Sequence, residues 1–437
     1  MTTFRLLGAL LLIFSLAGCG SLSNGAQAPD DQLAQYYSGK ARRWRFCDDS
    51  IEDERLAKTR TMSRIKDFWR RLELDSPILL KEFDEGKTSI FDNWTETNLQ
   101  PIDPHLMWEF GCSRDDKEIM QFCVTAEEHA ELKPIVETIV SGAPKISRLS
   151  LVAGRRSLSP ENVEMAFRAR TAILDSGEKK IPRFRTKVHA NSSNTIDVDF
   201  YSPDFKSEDS EQDLGDCLLI CDLVLGEEDL DKWLGVMRSY PLPQGDKETV
   251  LSTEVESNRF FEEFAAAKAK LIAGLPEESA YHLRDDGFLV SSDEGSARMP
   301  GRITMSVSNK GLGQAMFGNL SFYSERFSRN GEKFCFLIGR GLGSGAEPKN
   351  REVFERGVDS LLRNEKLGLL VGAGFGDGGD LYLDLCLADV DRAIPLLRKF
   401  ATEHRLPRES YLRFYDADWC HEWVGMYPDS PVPVEFR

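Results

Sequence analysis

Residues 333–415 read in order as strand, helix, strand, strand, helix, strand, and few architectures accept that order. KFCFLI at 333–338 is an uninterrupted apolar run of strand length. Residues 350–364 place Val353, Phe354, Val358, Leu361 and Leu362 on one helical face. Runs at 367–373 and 381–387 form a hairpin across a glycine-rich turn. Asp389 caps a helix to about His404, which Pro395 kinks or delays by a turn, and residues 410–415 supply the last strand. This β-α-β-β-α-β order is the ferredoxin-like arrangement, two split β-α-β units on one antiparallel sheet.

The other strong feature is the first nineteen residues, MTTFRLLGALLLIFSLAGC. Arg5 is a positive end, 6–16 is a short apolar run, and Leu16-Ala17-Gly18-Cys19 closes it. The run is too short to span a bilayer as a helix, which takes about 20 residues, and has the layout of a signal peptide. Its closing string resembles the bacterial lipobox, which implies cleavage before Cys19 and lipidation of that residue. Residues 20–40 are small, polar and aperiodic, a flexible tether between lipid and body. Gly20, where an Asp would resemble an inner-membrane retention signal, places the protein at the outer membrane facing the periplasm. No other apolar run reaches spanning length.

A formal net charge of −17 argues against a nucleic-acid partner, whose phosphates would be repelled. It also argues that the lipid alone holds the body at an anionic membrane. Eight cysteines remain beyond Cys19. Most sit inside apolar strings, which leaves buried thiols and disulfides both open. No C-x-x-C pair exists.

Taken in order, 41–103 is a helical region whose first helix, from Ile51 to Leu74, is stopped by Asp75-Ser76-Pro77. Arg42-Arg43-Trp44-Arg45 could touch lipid headgroups, but the acids that follow favour an ordinary start of the fold. A first α+β domain covers 104–240. In it, 106–112 and 118–124 pair as a hairpin centred near Asp115, so Cys112 faces Glu118 and Cys123 faces Met107. That register keeps the two thiols too far apart for a disulfide. Thr125 and Glu128 have capping-box spacing for a helix over 126–140. A second hairpin pairs 183–189 with 195–201. Leu214, Cys217, Leu218, Cys221, Val224 and Leu225 then form one helix face, so Cys217 and Cys221 are packing residues. A second α+β domain covers 255–427. It opens on a helix over 258–273 and includes a hairpin of 320–327 with 333–338 around Asn330-Gly331. The fold class is therefore α+β: two antiparallel sheet-and-helix units, the C-terminal one ferredoxin-like over 333–415.

Motifs that carry chemistry are few. Gly374–Gly379 satisfies G-x-G-x-x-G, but a strand follows where a dinucleotide site needs a helix. The glycines are read as turn residues, and no cofactor or metal is expected. The densest cluster of reactive side chains is DADWCHEW, where Asp416, Asp418, His421 and Glu422 offer hard oxygens and an imidazole. These four are the candidates for an acid, base or cation-binding role. The two tryptophans between them favour a packed lid with the acids at its wet rim.

The strings WEFGC (108–112), FCVTAEEHAEL (122–132), LGEEDLDKWLG (225–235), FYSERFSRNGEKFC (322–335) and FYDADWCHEW (414–423) resemble the bacterial domain-of-unknown-function 695 family and its relatives. The resemblance covers 104–427, implies an α+β body, and transfers no active-site residue. The expected function is a non-enzymatic, lipid-anchored envelope module that binds a protein or ligand. The alternatives are an enzyme or metal-binding protein with its site at 416–422, and an inhibitor or immunity-type lipoprotein against a basic toxin.

Overall fold

The structure is a computed structural model. It describes residues 43–437 except 88, 114–115, 117, 128, 175–178, 243–251, 278–287, 292–300, 319, 343–350, 377–378 and 437. Cys19, the signal segment and the tether therefore lie outside the described residues. The chain is an α+β protein of two compact units. The first holds 55–190 and 196–268, and the second holds 43–54, 191–195 and 269–437.

The first unit holds α1 (Glu52–Asp84) from Arg55 onward, and α2 (Ser89–Asn98). Helix α1 buries Ala57, Thr61, Ile65, Phe68, Leu72, Ser76 and Leu79, spaced every three or four residues. It does not stop at Pro77. A proline there leaves the carbonyl of Glu73 without its helical N–H donor, and the Ser76 hydroxyl donates to that carbonyl at 3.0 Å instead. The serine that looked like a stop signal repairs the turn.

Two small sheets follow, each built on the same plan. In the first, β1 (Met107–Cys112) pairs antiparallel with β2 (Met120–Thr125), α3 (Lys133–Ser141) crosses over, and β3 (Leu149–Ala153) lies parallel to β2. Helix α4 (Pro160–Leu174) comes next. In the second, β4 (Arg185–Ala190) pairs antiparallel with β5 (Ile196–Ser202). Helices α5 (Glu211–Leu225) and α6 (Glu227–Trp233) then cross over to β6 (Leu234–Pro241), parallel to β5. Both sheets are thus mixed, where wholly antiparallel ones were expected. Stacked rings of Phe110 and Phe122, centroids 4.2 Å apart, join Phe68 and Trp94 beneath the first sheet.

Three expectations in this unit need correction. The β1–β2 register puts Cys112 opposite Met120 and Cys123 opposite Glu109, two residues from the anticipated pairing. Neither cysteine is in a disulfide, nor is Cys217 or Cys221, both buried on α5. Thr125 caps no helix. Its hydroxyl donates to Glu227 at 2.6 Å and accepts from the Glu127 amide, so the chain makes a 3-10 turn before α3. The helix over 258–273, α7 (Thr253–Ala273), belongs to the first unit up to Lys268 rather than lying wholly in the second. Its Phe260 meets Phe200 of β5, and Lys268 pairs with Asp229.

The second unit is one seven-stranded antiparallel sheet. Strands β7 (Phe288–Ser291) and β8 (Arg302–Val307) precede helix α8 (Lys310–Phe317). The ferredoxin-like order then runs β9 (Lys333–Gly339), α9 (Arg351–Asn364), β10 (Gly368–Gly376), β11 (Leu381–Leu387), α10 (Val390–Glu403) and β12 (Tyr411–Phe414). The short β13 (Trp423–Gly425) closes the edge. The sheet order β13-β12-β9-β11-β10-β8-β7 contains β12-β9-β11-β10, in which each split β-α-β pair encloses a strand of the other. Asp389 caps α10 by accepting from the Arg392 amide at 3.0 Å. Apolar side chains fill both faces. Cys335, Leu337, Leu383 and Leu385 lie under α9 and α10, while Phe334, Phe336, Ile338 and Tyr382 lie on the other side with α8. This explains why the strands read as unbroken apolar runs.

Residues 320–327 are not the first strand of a hairpin. They form an extended loop with a 3-10 turn at Ser324–Arg326, tied to the sheet by a bridge from Phe322 to Asp416 and by the Phe334 amide donating to the Ser324 hydroxyl at 3.0 Å. The glycines 374 and 376 also differ from expectation, since β10 runs to Gly376. A Cβ on Gly374 would sit 1.9 Å from the Thr304 carbonyl and 3.0 Å from the Arg302 guanidinium. One on Gly372 would sit 2.7 Å from the Asp384 carboxylate. These alternating glycines clear one sheet face for a buried ion pair, Arg302 with Asp384, both wholly inaccessible.

Candidate functional site

The loop 416–422 keeps Asp416 and Glu422 inside rather than at a wet rim, and Asp418 half-buried. Asp416 is 1% exposed. It accepts from the Ser324 amide at 2.9 Å, the Ser324 hydroxyl at 2.5 Å and the Lys333 ammonium at 3.2 Å. It ties the 320–328 loop to the end of the sheet. Burial pushes its carboxyl above the usual range, opposed by Lys333 and Ser324. Burial works against the charge of Lys333 too, but Asp416 and Glu325 outweigh it and hold the ammonium above its ordinary range.

Glu422 is equally committed. Its carboxylate accepts three successive backbone amides, Trp44 at 2.7 Å, Arg45 at 2.9 Å and Phe46 at 3.0 Å. The tryptophans complete the cradle. Arg43 lies 3.8 Å over the Trp423 ring, Arg45 lies 4.5 Å over Trp419, and Phe46 stacks on Phe414 at 4.9 Å. Arg43 also forks onto Glu54. Arg43, Trp44 and Arg45 are thus packed into the fold rather than left as a free membrane contact. Burial raises the Glu422 carboxyl above its usual range against the pull of those amides. Asp418 and His421 are half-buried on the same loop, and Asp418 adds to the negative field at Lys333. The structure uses Asp416 and Glu422 for two different structural tasks. Among the described residues no group of three or more His, Cys, Asp or Glu is placed to hold a metal ion.

The first unit holds a buried ionic network that sequence reading missed. Arg170 of α4 donates to Asp222 of α5, and to Glu109 of β1 at 3.2 Å. Arg155, just past β3, donates to Asp222 at 3.3 Å, to Glu127 at 2.7 Å, and through its amide to Glu227 at 3.1 Å. Glu109, Asp222, Glu227 and Arg170 are all under 10% exposed. Three buried carboxylates thus share two guanidinium groups. Burial pushes Glu109 up to about 7, the two arginines opposing and Asp222 and Glu227 reinforcing the rise. The nearby Cys123 thiol is pushed up to about 12, first by burial and then by Glu109. Such a thiol is inert at neutral pH.

A third feature is concave. Between α1 and α2 lies an open groove of about 670 Å³ with Arg64, Asp67, Arg70 and Arg71 on one wall, Asp67 lying 3.5 Å from the Arg70 guanidinium. Asn93 and Asn98 stand on the other, and Phe68 and Trp94 form the floor. Asp75, also at the groove, is occupied by the Trp94 indole N–H at 2.9 Å. Guanidinium groups facing amides over aromatic carbon suit a ligand with an acidic group and an apolar or planar body. A sequence signal existed in the arginines at 64 and 71, seven residues apart and hence on one helix face.

No helix among the described residues is long and apolar enough to cross a membrane. No protein family, curated protein or solved structure matches the chain.

Proposed function

We propose that the chain is a lipid-anchored cell-envelope protein, held through Cys19 at the outer membrane and facing the periplasm, that works by binding rather than by catalysis. The α1–α2 groove is its ligand site. The single observation carrying this reading is that groove, open and lined by three arginines against two aspartates, each paired (Asp67 to Arg70, Asp75 to Trp94), in a protein of net charge −17. The 416–422 loop supports it from the other side, because Asp416 and Glu422 are occupied in holding backbone. The signal segment and the Leu-Ala-Gly-Cys string support the anchor.

The test uses the anchored protein as bait in envelope extracts, beside an Arg64→Glu/Arg71→Glu variant, with eluates compared by mass spectrometry for proteins and small molecules. The wild type should retain a partner that the variant loses. The same eluate from both, or none from either, contradicts the groove assignment. Stoichiometric metal in the purified protein, lost on Asp418→Ala, would instead favour a metal site on the 416–422 loop.

A further inference from the structure

Net charge hides how charge is distributed. Over Glu52–Asp84 helix α1 carries eight acids and eight bases, but its stretch 55–71 holds seven of the Arg and Lys residues against the single acid Asp67, a local net of +6 in a chain whose total is −17. The buried stripe of α1 runs through Ala57, Thr61, Ile65, Phe68 and Leu72. The basic residues lie off that stripe, and Arg55, Arg60, Lys66, Arg70 and Arg71 are exposed. Leu56 stands out beside them at 38% exposure, and Leu74 at 59% and Ile78 at 55% follow one to two turns further on, past Glu73 and Asp75. A long helix that shows cations and protruding leucines on its outer face has the composition of an interfacial helix. Its charges suit phosphate headgroups, and its apolar tips suit the boundary of the acyl chains.

Position in the chain points the same way. Residues 20–42 separate Cys19 from the first described residue, and a chain of that length reaches at most about 80 Å when fully extended. Helix α1 begins nine residues after Arg43. Tethering converts binding of this helix to the same membrane into an intramolecular event, so a weak electrostatic contact suffices.

We propose that the exposed basic face of α1 docks on the anionic phospholipid headgroups of the membrane that holds the lipid anchor. The choice of membrane as occupant rests on the lipid-anchor reading. The charge-driven contact itself does not require the lipid. It also revises the expectation that an acidic body is held by its lipid alone, since repulsion by the whole is local attraction over residues 55–71 of α1.

The test is flotation of the processed chain from Gly20 to Arg437, which keeps every described residue of both units but lacks the lipidated cysteine. The probes are phosphatidylcholine vesicles with and without phosphatidylglycerol, at low and high salt. Binding should require phosphatidylglycerol and fall with salt. Arg60→Glu/Arg70→Glu should weaken it at least about tenfold, while Arg356→Glu, an 80%-exposed arginine on α9, should leave it unchanged. Arg55→Glu/Lys66→Glu serves as an independent pair if circular dichroism shows the first variant misfolded. Equal flotation with both vesicle types, or undiminished binding by the charge-reversed chains, overturns the proposal. So does binding of a short duplex DNA as tight as that of the vesicles, which would assign the face to polyanions in general. Because this chain carries no lipid, its failure leaves the Cys19 reading standing, and an unmodified Cys19 leaves the vesicle result standing.

Discussion

Arg302→Met is expected to destabilise the second unit by about 3–5 kcal/mol, the cost of leaving a buried charge without its partner. Arg302 and Asp384 are both wholly inaccessible and joined by two hydrogen bonds of 2.7 Å. The Tyr415 hydroxyl adds a 2.6 Å bond to the same carboxylate and receives one from Arg302 at 3.1 Å. Burial and the neighbouring Asp384 hold the Tyr415 phenol well above its usual range, so it stays a neutral donor. With the guanidinium gone, Asp384 keeps one donor and no counter-charge inside the apolar strand LYLDLCL. Denaturant unfolding followed by the fluorescence of Trp419 and Trp423 measures the loss. Arg302→Met/Asp384→Leu should recover most of it, because an apolar pair of similar volume is close to neutral in such a setting. A loss under about 1 kcal/mol, the range of an exposed pair, would contradict the geometry.

Glu109 governs an expected pH response of the first unit. Its carboxyl titrates at about 7 in the folded chain and near 4.5 when exposed. Between those values the native state keeps a proton that the unfolded chain has released. Stability is therefore highest below pH 4.5 with respect to this group and is withdrawn as pH rises through 7. The interval corresponds to a penalty on the order of 3 kcal/mol, complete near pH 8. Glu109→Gln is isosteric with the protonated form and keeps an acceptor for Arg170. It should match the wild type near pH 5, exceed it at pH 8, and flatten the slope between. Should the variant be the less stable protein at pH 8, the arginines outweigh burial and the network is an ion pair of the ordinary kind.

The ferredoxin-like order was legible because each element announced itself locally. Apolar runs of strand length were separated by a helical stripe, a glycine turn and the Asp389 cap. Errors arose wherever a distant partner overruled a local signal. Thr125 has capping spacing, but Glu227, about a hundred residues away, takes its hydroxyl. Pro77 reads as a stop, but Ser76 supplies the missing donor. Gly374 reads as a turn residue, although its purpose is space for Arg302. The 416–422 cluster was visible as chemistry, but its use was not. The amides that Glu422 holds lie at the other end of the chain, and no spacing rule reaches them. The basic face of α1 was hidden by summation, since one net charge over the whole chain reports no distribution.

The anchor is common ground for the proposed function and for the docking of α1, and detergent-phase partitioning of the Cys19→Ser protein tests it most directly. Membranes are first washed at high salt, so that electrostatic adhesion through α1 is not mistaken for a lipid. The wild-type protein should enter the detergent phase with a modified Cys19 at its N-terminus. Cys19→Ser should yield only uncleaved precursor or a soluble periplasmic form. Processed Cys19→Ser protein that still enters the detergent phase would contradict the account.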